Sequence, residues 1–131
     1  MAFDFGLRQI GVAVGNSTIG TSEALTTLRA RDGVPDWVEV EQLLSEWRPA
    51  QLVVGLPLNM DDSEGELARL ARKFGRRLEG RFRLPVDYMD ERLSSFEAKQ
   101  LLREQGHRGD YLDVPADGLA AQLILQTWLA R

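Results

Sequence analysis

The chain has 131 residues, 44% of them hydrophobic and 27% charged, which is the composition of one globular domain and leaves little room for two. It contains no cysteine and a single histidine, His107, so a disulfide framework, thiolate chemistry and a multi-histidine metal site are excluded. Its formal charge of −4 argues against coating nucleic acid by bulk electrostatics but allows a local basic face.

The first third has strand character. Met1 to Phe5 and Ile10 to Val14 are short apolar runs separated by the turn residues Gly6 to Gln9, as in a β-hairpin. The first of these runs is short for a central strand, so the natural strand is expected to begin upstream. Thr21 to Leu28 predicts a third strand of an antiparallel meander, ending in the charged, turn-prone stretch Arg29 to Asp36.

The period changes after Pro35. Trp37, Val40, Leu44 and Trp47 recur at helical spacing, Asp36 stands where an N-cap belongs, and Pro49 stops the segment. Gln51 to Val54 predicts a strand that breaks into a loop at Gly55-Leu56-Pro57-Leu58-Asn59. Leu67, Leu70, Ala71, Phe74 and Leu78 mark a second helix, and Pro85 to Met89 a fifth strand. Alternating helices and strands at these spacings predict parallel crossovers. Ser94 and Glu97 match a capping box for a third helix, and Pro115 opens a last helix with Ala120, Ala121, Ile124 and Trp128 on one side. The order is βββαβαβαα within one α/β domain spanning 1–131, with no internal repeat.

Three acidic positions stand where a solvated carboxylate is unusual. Asp4 lies inside an apolar strand, Asp90 and Glu91 end the fifth strand at the edge where open α/β sheets keep their ligand sites, and Asp117 shares the apolar stripe of the last helix. Taken singly, each has a plain reading as a turn starter, a strand-end ion pair or a helix N-terminal acid. Together they predict a site for a divalent cation, because crowded carboxylates are costly to desolvate unless a cation neutralises them. Mg²⁺ or Mn²⁺ suits such a hard oxygen set and supports in-line attack of water on a phosphodiester. Asp90 and Glu91 face opposite sides of a strand, so one of them is expected to be a primary ligand. Arg69, Arg72, Lys73, Arg76, Arg77, Arg81 and Arg83 crowd the second helix and the turn after it. With Arg8, Arg92, Arg103, His107 and Arg108 they form a candidate contact to a phosphate backbone.

Other motifs carry less. Asp4-Phe5-Gly6 spells a kinase tripeptide without the companion loops, Ser94 and Ser95 lack a partner base, and His107 reads as a surface residue.

Four segments in order carry a resemblance. They are Ala2-Phe3-Asp4-Phe5-Gly6 with Ile10 to Val14, Val53-Val54-Gly55-Leu56-Pro57-Leu58-Asn59, Asp90-Glu91-Arg92-Leu93-Ser94-Ser95, and Asp117-Gly118-Leu119-Ala120-Ala121 with Ile124-Leu125-Gln126. Over essentially its full length the chain resembles the YqgF-type, or RuvX, nucleases of the ribonuclease H-like fold, described as pre-16S rRNA nucleases or Holliday junction resolvases. The resemblance implies a mixed five-stranded sheet in the order 3-2-1-4-5, with strand 2 antiparallel and helices flanking it. It implies Asp4, Glu91 and Asp117 as catalytic metal ligands, and Arg92 as a phosphate contact. Two positions depart from the family pattern: Asp62 stands where members carry a glycine, and Gly118 where a small polar residue is common.

The resulting expectation is a cytoplasmic Mg²⁺- or Mn²⁺-dependent phosphodiesterase that matures the 5′ end of precursor 16S rRNA, acting as a monomer or homodimer without membrane association. The alternatives are a resolvase of four-way DNA, for which a stable dimer would supply the two active sites, and a non-catalytic nucleic-acid or transcription-complex binding module. A small-molecule kinase of the actin-like type would need a second lobe.

Overall fold

The computed structural model describes residues 1–59, 61, 63–91 and 116–131. Its strands are β1 (Ala2–Asp4), β2 (Gln9–Asn16), β3 (Thr21–Arg31), β4 (Val34–Pro35), β5 (Leu52–Leu56) and β6 (Val86–Asp90); its helices are α1 (Trp37–Trp47), α2 (Glu66–Phe82) and α3 (Ala116–Leu129). The expected helix after Ser94 lies outside the described residues. No described helix is long and apolar enough to cross a membrane.

The strands form one mixed sheet in the order β4-β3-β2-β1-β5-β6. The β1–β2 and β2–β3 pairs are antiparallel, whereas β1–β5 and β5–β6 are parallel. The five expected strands are neighbours in the expected sequence, and a sixth, β4, is added at the outer edge of β3, so the strand count and the full order differ from expectation. The reason is local. Asp32 and Gly33 both adopt positive φ, 51° and 83°, as the two central residues of a tight hairpin turn, and Ala30 pairs with Pro35. The stretch Arg29 to Asp36, expected as a loop, is therefore mostly strand and turn. A proline on this edge leaves no N–H to pair with a further strand.

A register shift between Val12 and Ala13 marks a bulge against β3. Leu25 and Leu28, three residues apart, consequently turn to the same side of the sheet, which strict alternation would forbid.

The two faces carry separate cores. On one, α1 and α2 cover Phe3, Phe5, Ile10, Val12 and Val54, and Phe74 meets the rings of Phe3, Phe5 and Trp37 at 5.5–5.8 Å. Asp36 caps α1 as expected, its Oδ1 accepting the Val38 N–H at 2.9 Å, and Arg48 ends the helix in a left-handed conformation just before Pro49. On the other face α3 lays Ala121, Ile124 and Leu125 over Ala2, Ala13, Val53 and Met89. A chain that alternates through β1 therefore sends Phe3 and Phe5 towards α2, and Ala2 and Asp4 towards α3.

Candidate active site

The parallel strands β1 and β6 end at the same edge of the sheet, and that shared edge carries Asp4 and Glu91. Asp4 closes β1, half-buried, with its register partner Gly11 on β2. Glu91 follows directly after β6, also half-buried. Its side chain crosses back over β5 and lies on Gly55, so near that a Cβ on Gly55 would stand 2.9 Å from Glu91 Oε1 and 2.5 Å from Ile124 Cδ1. The carboxyl of Glu91 thus sits between the sheet and α3, on the face towards which alternation sends Asp4.

The two acids meet there. Burial first, then a hydrogen bond with Asp4, then the charges of Asp4 and Asp90 push the Glu91 carboxyl up from its usual 4.5 to about 8. At neutral pH a protonated Glu91 donates to the Asp4 carboxylate, the arrangement two acids adopt when both cannot ionise in a poorly solvated site.

The shift has a testable consequence. Between pH 4.5 and about 8 the folded chain keeps a proton that the unfolded chain releases, so this contribution to stability is present at low pH and lost as pH rises. The Met1 ammonium, lowered by burial from 8.0 to about 6, acts in the opposite sense over the upper part of that window. Comparison with Glu91→Gln isolates the first effect. In urea melts without divalent cations the variant is expected to gain stability relative to wild type from about pH 5 to about pH 8. A pH-independent difference would show that Glu91 ionises normally.

Asp90 is close enough for its charge to act on Glu91, yet it follows Tyr88, which packs with the α1–α2 core, by two residues. Alternation therefore turns it to the other face. Asp117 lies in the first turn of α3, the helix that covers the Asp4 face; its side chain lies outside the described residues. Among the described residues, no group of three or more acidic or histidine side chains could hold a metal ion.

The basic residues occupy the opposite layer. The buried side of α2 is Ala68, Ala71, Phe74, Gly75 and Leu78, and Arg69, Lys73, Arg76 and Arg77 are exposed on its outer side. Arg69 pairs with Glu66 and Arg72 with Glu64, and the Arg72 guanidinium lies 5.0 Å from the Tyr88 ring centroid. Lys73 and Arg77 border a small hollow with Phe5 and Gly33. Because α2 starts after the carboxyl end of β5, its first turns lie nearest the edge that carries the acids. Arg8, exposed in the loop after β1, lies at that edge too, and the loop is pinned by the Ala30 N–H to Arg8 carbonyl bond of 2.8 Å and the Gly33 N–H to Leu7 carbonyl bond of 2.9 Å. Arg92 lies outside the described residues, as do Arg103, His107 and Arg108.

Of the two departures from the family pattern, Asp62 is outside the described residues, and hydrogen bonds link the described residues on either side of it. Ser63 donates through its backbone N–H to Asp61 Oδ1 at 3.0 Å, and Asn59 Nδ2 donates to Ser63 Oγ at 3.0 Å. Gly118 has a packing reason, since a Cβ there would stand 3.3 Å from that of Ala24. Sequence reasoning missed Gly55, although the glycine inside an apolar strand was itself a signal of close approach from above.

A mixed sheet with an acidic pair at the shared carboxyl edge and an acid-bearing helix over it defines an α/β protein with a paired-carboxylate site. Comparison with known proteins gives the family. The model of the RuvX family, described as Holliday junction resolvase, matches residues 1–131, and the chain belongs to that family. A relative from Chromohalobacter salexigens, named "Putative pre-16S rRNA nuclease", is 58% identical over 130 residues, 99% of this chain and 88% of its own length. Relatives of the same name from Azotobacter vinelandii and Saccharophagus degradans are 55% and 53% identical, covering 100% and 98% of this chain and 92% and 90% of theirs.

Proposed function

We propose that this chain is a nuclease of ribonuclease H-like fold that hydrolyses phosphodiester bonds in maturing the 5′ end of 16S ribosomal RNA, with Asp4, Glu91 and Asp117 holding Mg²⁺ or Mn²⁺. The observation that carries the reading is the contact of Asp4 with Glu91 at the sheet edge beneath α3. Two half-buried carboxyl groups that share a proton fit a hard divalent cation, whose charge would offset their repulsion. The names of the relatives support the substrate.

When bound, the cation supplies Lewis-acid stabilisation of the charge developing on the phosphodiester. The chain supplies the rest. Asp4 and Glu91 would fix the position at which a scissile phosphate docks, with the proton of Glu91 released to solvent. Ile124 and the α3 backbone shield one side of the pair from water. Arg8 beside the site, and Arg69, Arg72, Lys73, Arg76 and Arg77 on the outer side of α2, hold the flanking phosphates, with Arg92 a further contact.

The family description favours one second reading, cleavage of four-way DNA by the same carboxylates. Incubating the chain with precursor 16S RNA and with a matched DNA junction, each with and without Mn²⁺, separates the two. Expected is cation-dependent cutting of the RNA. Preferential symmetric cutting of the junction would overturn the RNA assignment, and tight binding of both without turnover would identify a binding module.

A further inference from the structure

Besides an exposed hydrogen bond from Trp128 Nε1 to Asp87 Oδ2 at 3.1 Å near its last turn, the acid-bearing helix α3 is attached to the sheet by two kinds of buried contact. Its apolar side meets Ala2, Ala13, Val53 and Met89 through Ala121, Ile124 and Leu125. Three of these seven side chains are alanine, and apolar burial is non-directional, so this surface resists separation of helix and sheet more than it resists sliding. The second contact is polar and buried. Gln122, fully buried, donates through Nε2 to the Ser22 carbonyl at 2.9 Å. Gln126, one turn later and 4% exposed, accepts from Ser22 Oγ at 2.7 Å and donates to the Gly20 carbonyl at 3.2 Å. Gly20 is itself fixed, with φ 68° and its N–H bonded to the Asn16 carbonyl at 2.9 Å.

We propose that Gln122 and Gln126 are positioning residues for the acidic site, locking the axial position of α3 against β3 so that the turn bearing Asp117 arrives at the carboxyl end of β1. The inference rests on the reading of Asp4, Glu91 and Asp117 as ion-holding residues. The helix rises about 1.5 Å per residue, so a slip of one residue breaks all three bonds. No water reaches Gln122 to replace them, which leaves one axial setting. Asp117 precedes Gln122 by about 7.5 Å of helix, less than two turns, so the setting is passed on rigidly.

Mn²⁺ is titrated into wild type, Asp117→Asn, Gln122→Met and Gln126→Met, with free Mn²⁺ read by electron paramagnetic resonance and urea stability measured on the same samples. Methionine keeps the length of the side chain and removes its hydrogen bonds. Each glutamine variant is expected to bind Mn²⁺ about tenfold more weakly or worse, the usual loss when a group supporting a ligand is removed. Ser22→Ala combined with Gln126→Met deletes both partners of one bond and is expected to regain stability without regaining Mn²⁺ affinity. Folded glutamine variants with wild-type affinity, or affinity that recovers in step with stability, would overturn the proposal. Should Gln122→Met fail to fold, Gln126→Met and the single Ser22→Ala carry the same expectation. Absence of Mn²⁺ uptake by wild type, or unchanged affinity in Asp117→Asn, would instead sink the ion-holding reading itself.

Discussion

Asp4→Asn is expected to slow cleavage of precursor 16S RNA by at least about 10²–10³-fold while leaving the thermal midpoint unchanged or raised. The substitution keeps the shape of the side chain and removes its charge. In the folded chain that charge opposes ionisation of Glu91, adding to burial and to the hydrogen bond with Asp4 in pushing its carboxyl up to about 8. An asparagine relieves the repulsion and can still accept a hydrogen bond, so the apo fold does not suffer. On the proposed function, the same change removes the charge of one of the two carboxylates that would hold the cation, and with it the docking position of the phosphate. Cleavage rate and melting curve are measured on one preparation. Wild-type cleavage by Asp4→Asn would exclude the mechanism, and a large fall in melting temperature would show that Asp4 serves packing.

The acids were legible because each broke a local rule: a carboxylate inside an apolar strand, a pair ending a strand, an acid on an apolar helix stripe. Their meeting was legible only through topology, since nothing in the spacing from Asp4 to Glu91 says that β1 and β6 end at one edge. Neighbouring positions 90 and 91 could be ranked only by the resemblance; the structure gives a physical reason, in that Glu91 lies across Gly55 beneath α3. The strand β4 is hard to see in a stretch as charged and turn-prone as Arg29 to Asp36, although Asp32-Gly33 within it is a strong two-residue hairpin signal. Gln122 carried no sequence signal, and Gln126 entered only as part of the segment that carries the family resemblance, with no role attached. A glutamine on a helix is ordinarily solvated, and only the hairpin turn folded against α3 makes these two buried.

Gly55→Ala is expected to abolish cleavage through a single methyl group. On the backbone as it stands, that methyl would sit 2.5 Å from Ile124 Cδ1 and 2.9 Å from Glu91 Oε1, both closer than real side chains tolerate, and 3.0 Å from Glu91 Cγ. Ile124 packs against Ala2, Val53 and Met89 and has little room to retreat, so Glu91 is displaced from its seat and from Asp4. Overpacking of this kind destabilises a core by about 1–3 kcal/mol, which a domain of this size survives, whereas a ligand moved by an ångström loses its site. Gly75→Ala provides the control. It is equally crowded, with the Tyr88 Cε1 2.7 Å from the added carbon, but it lies on the α2 face away from the acids. Both variants should lose stability in urea melts, while cleavage and Mn²⁺ binding should collapse in Gly55→Ala alone. Equal losses of activity in the two would mean that cleavage follows global stability, and that the seat of Glu91 on Gly55 has no special part in it.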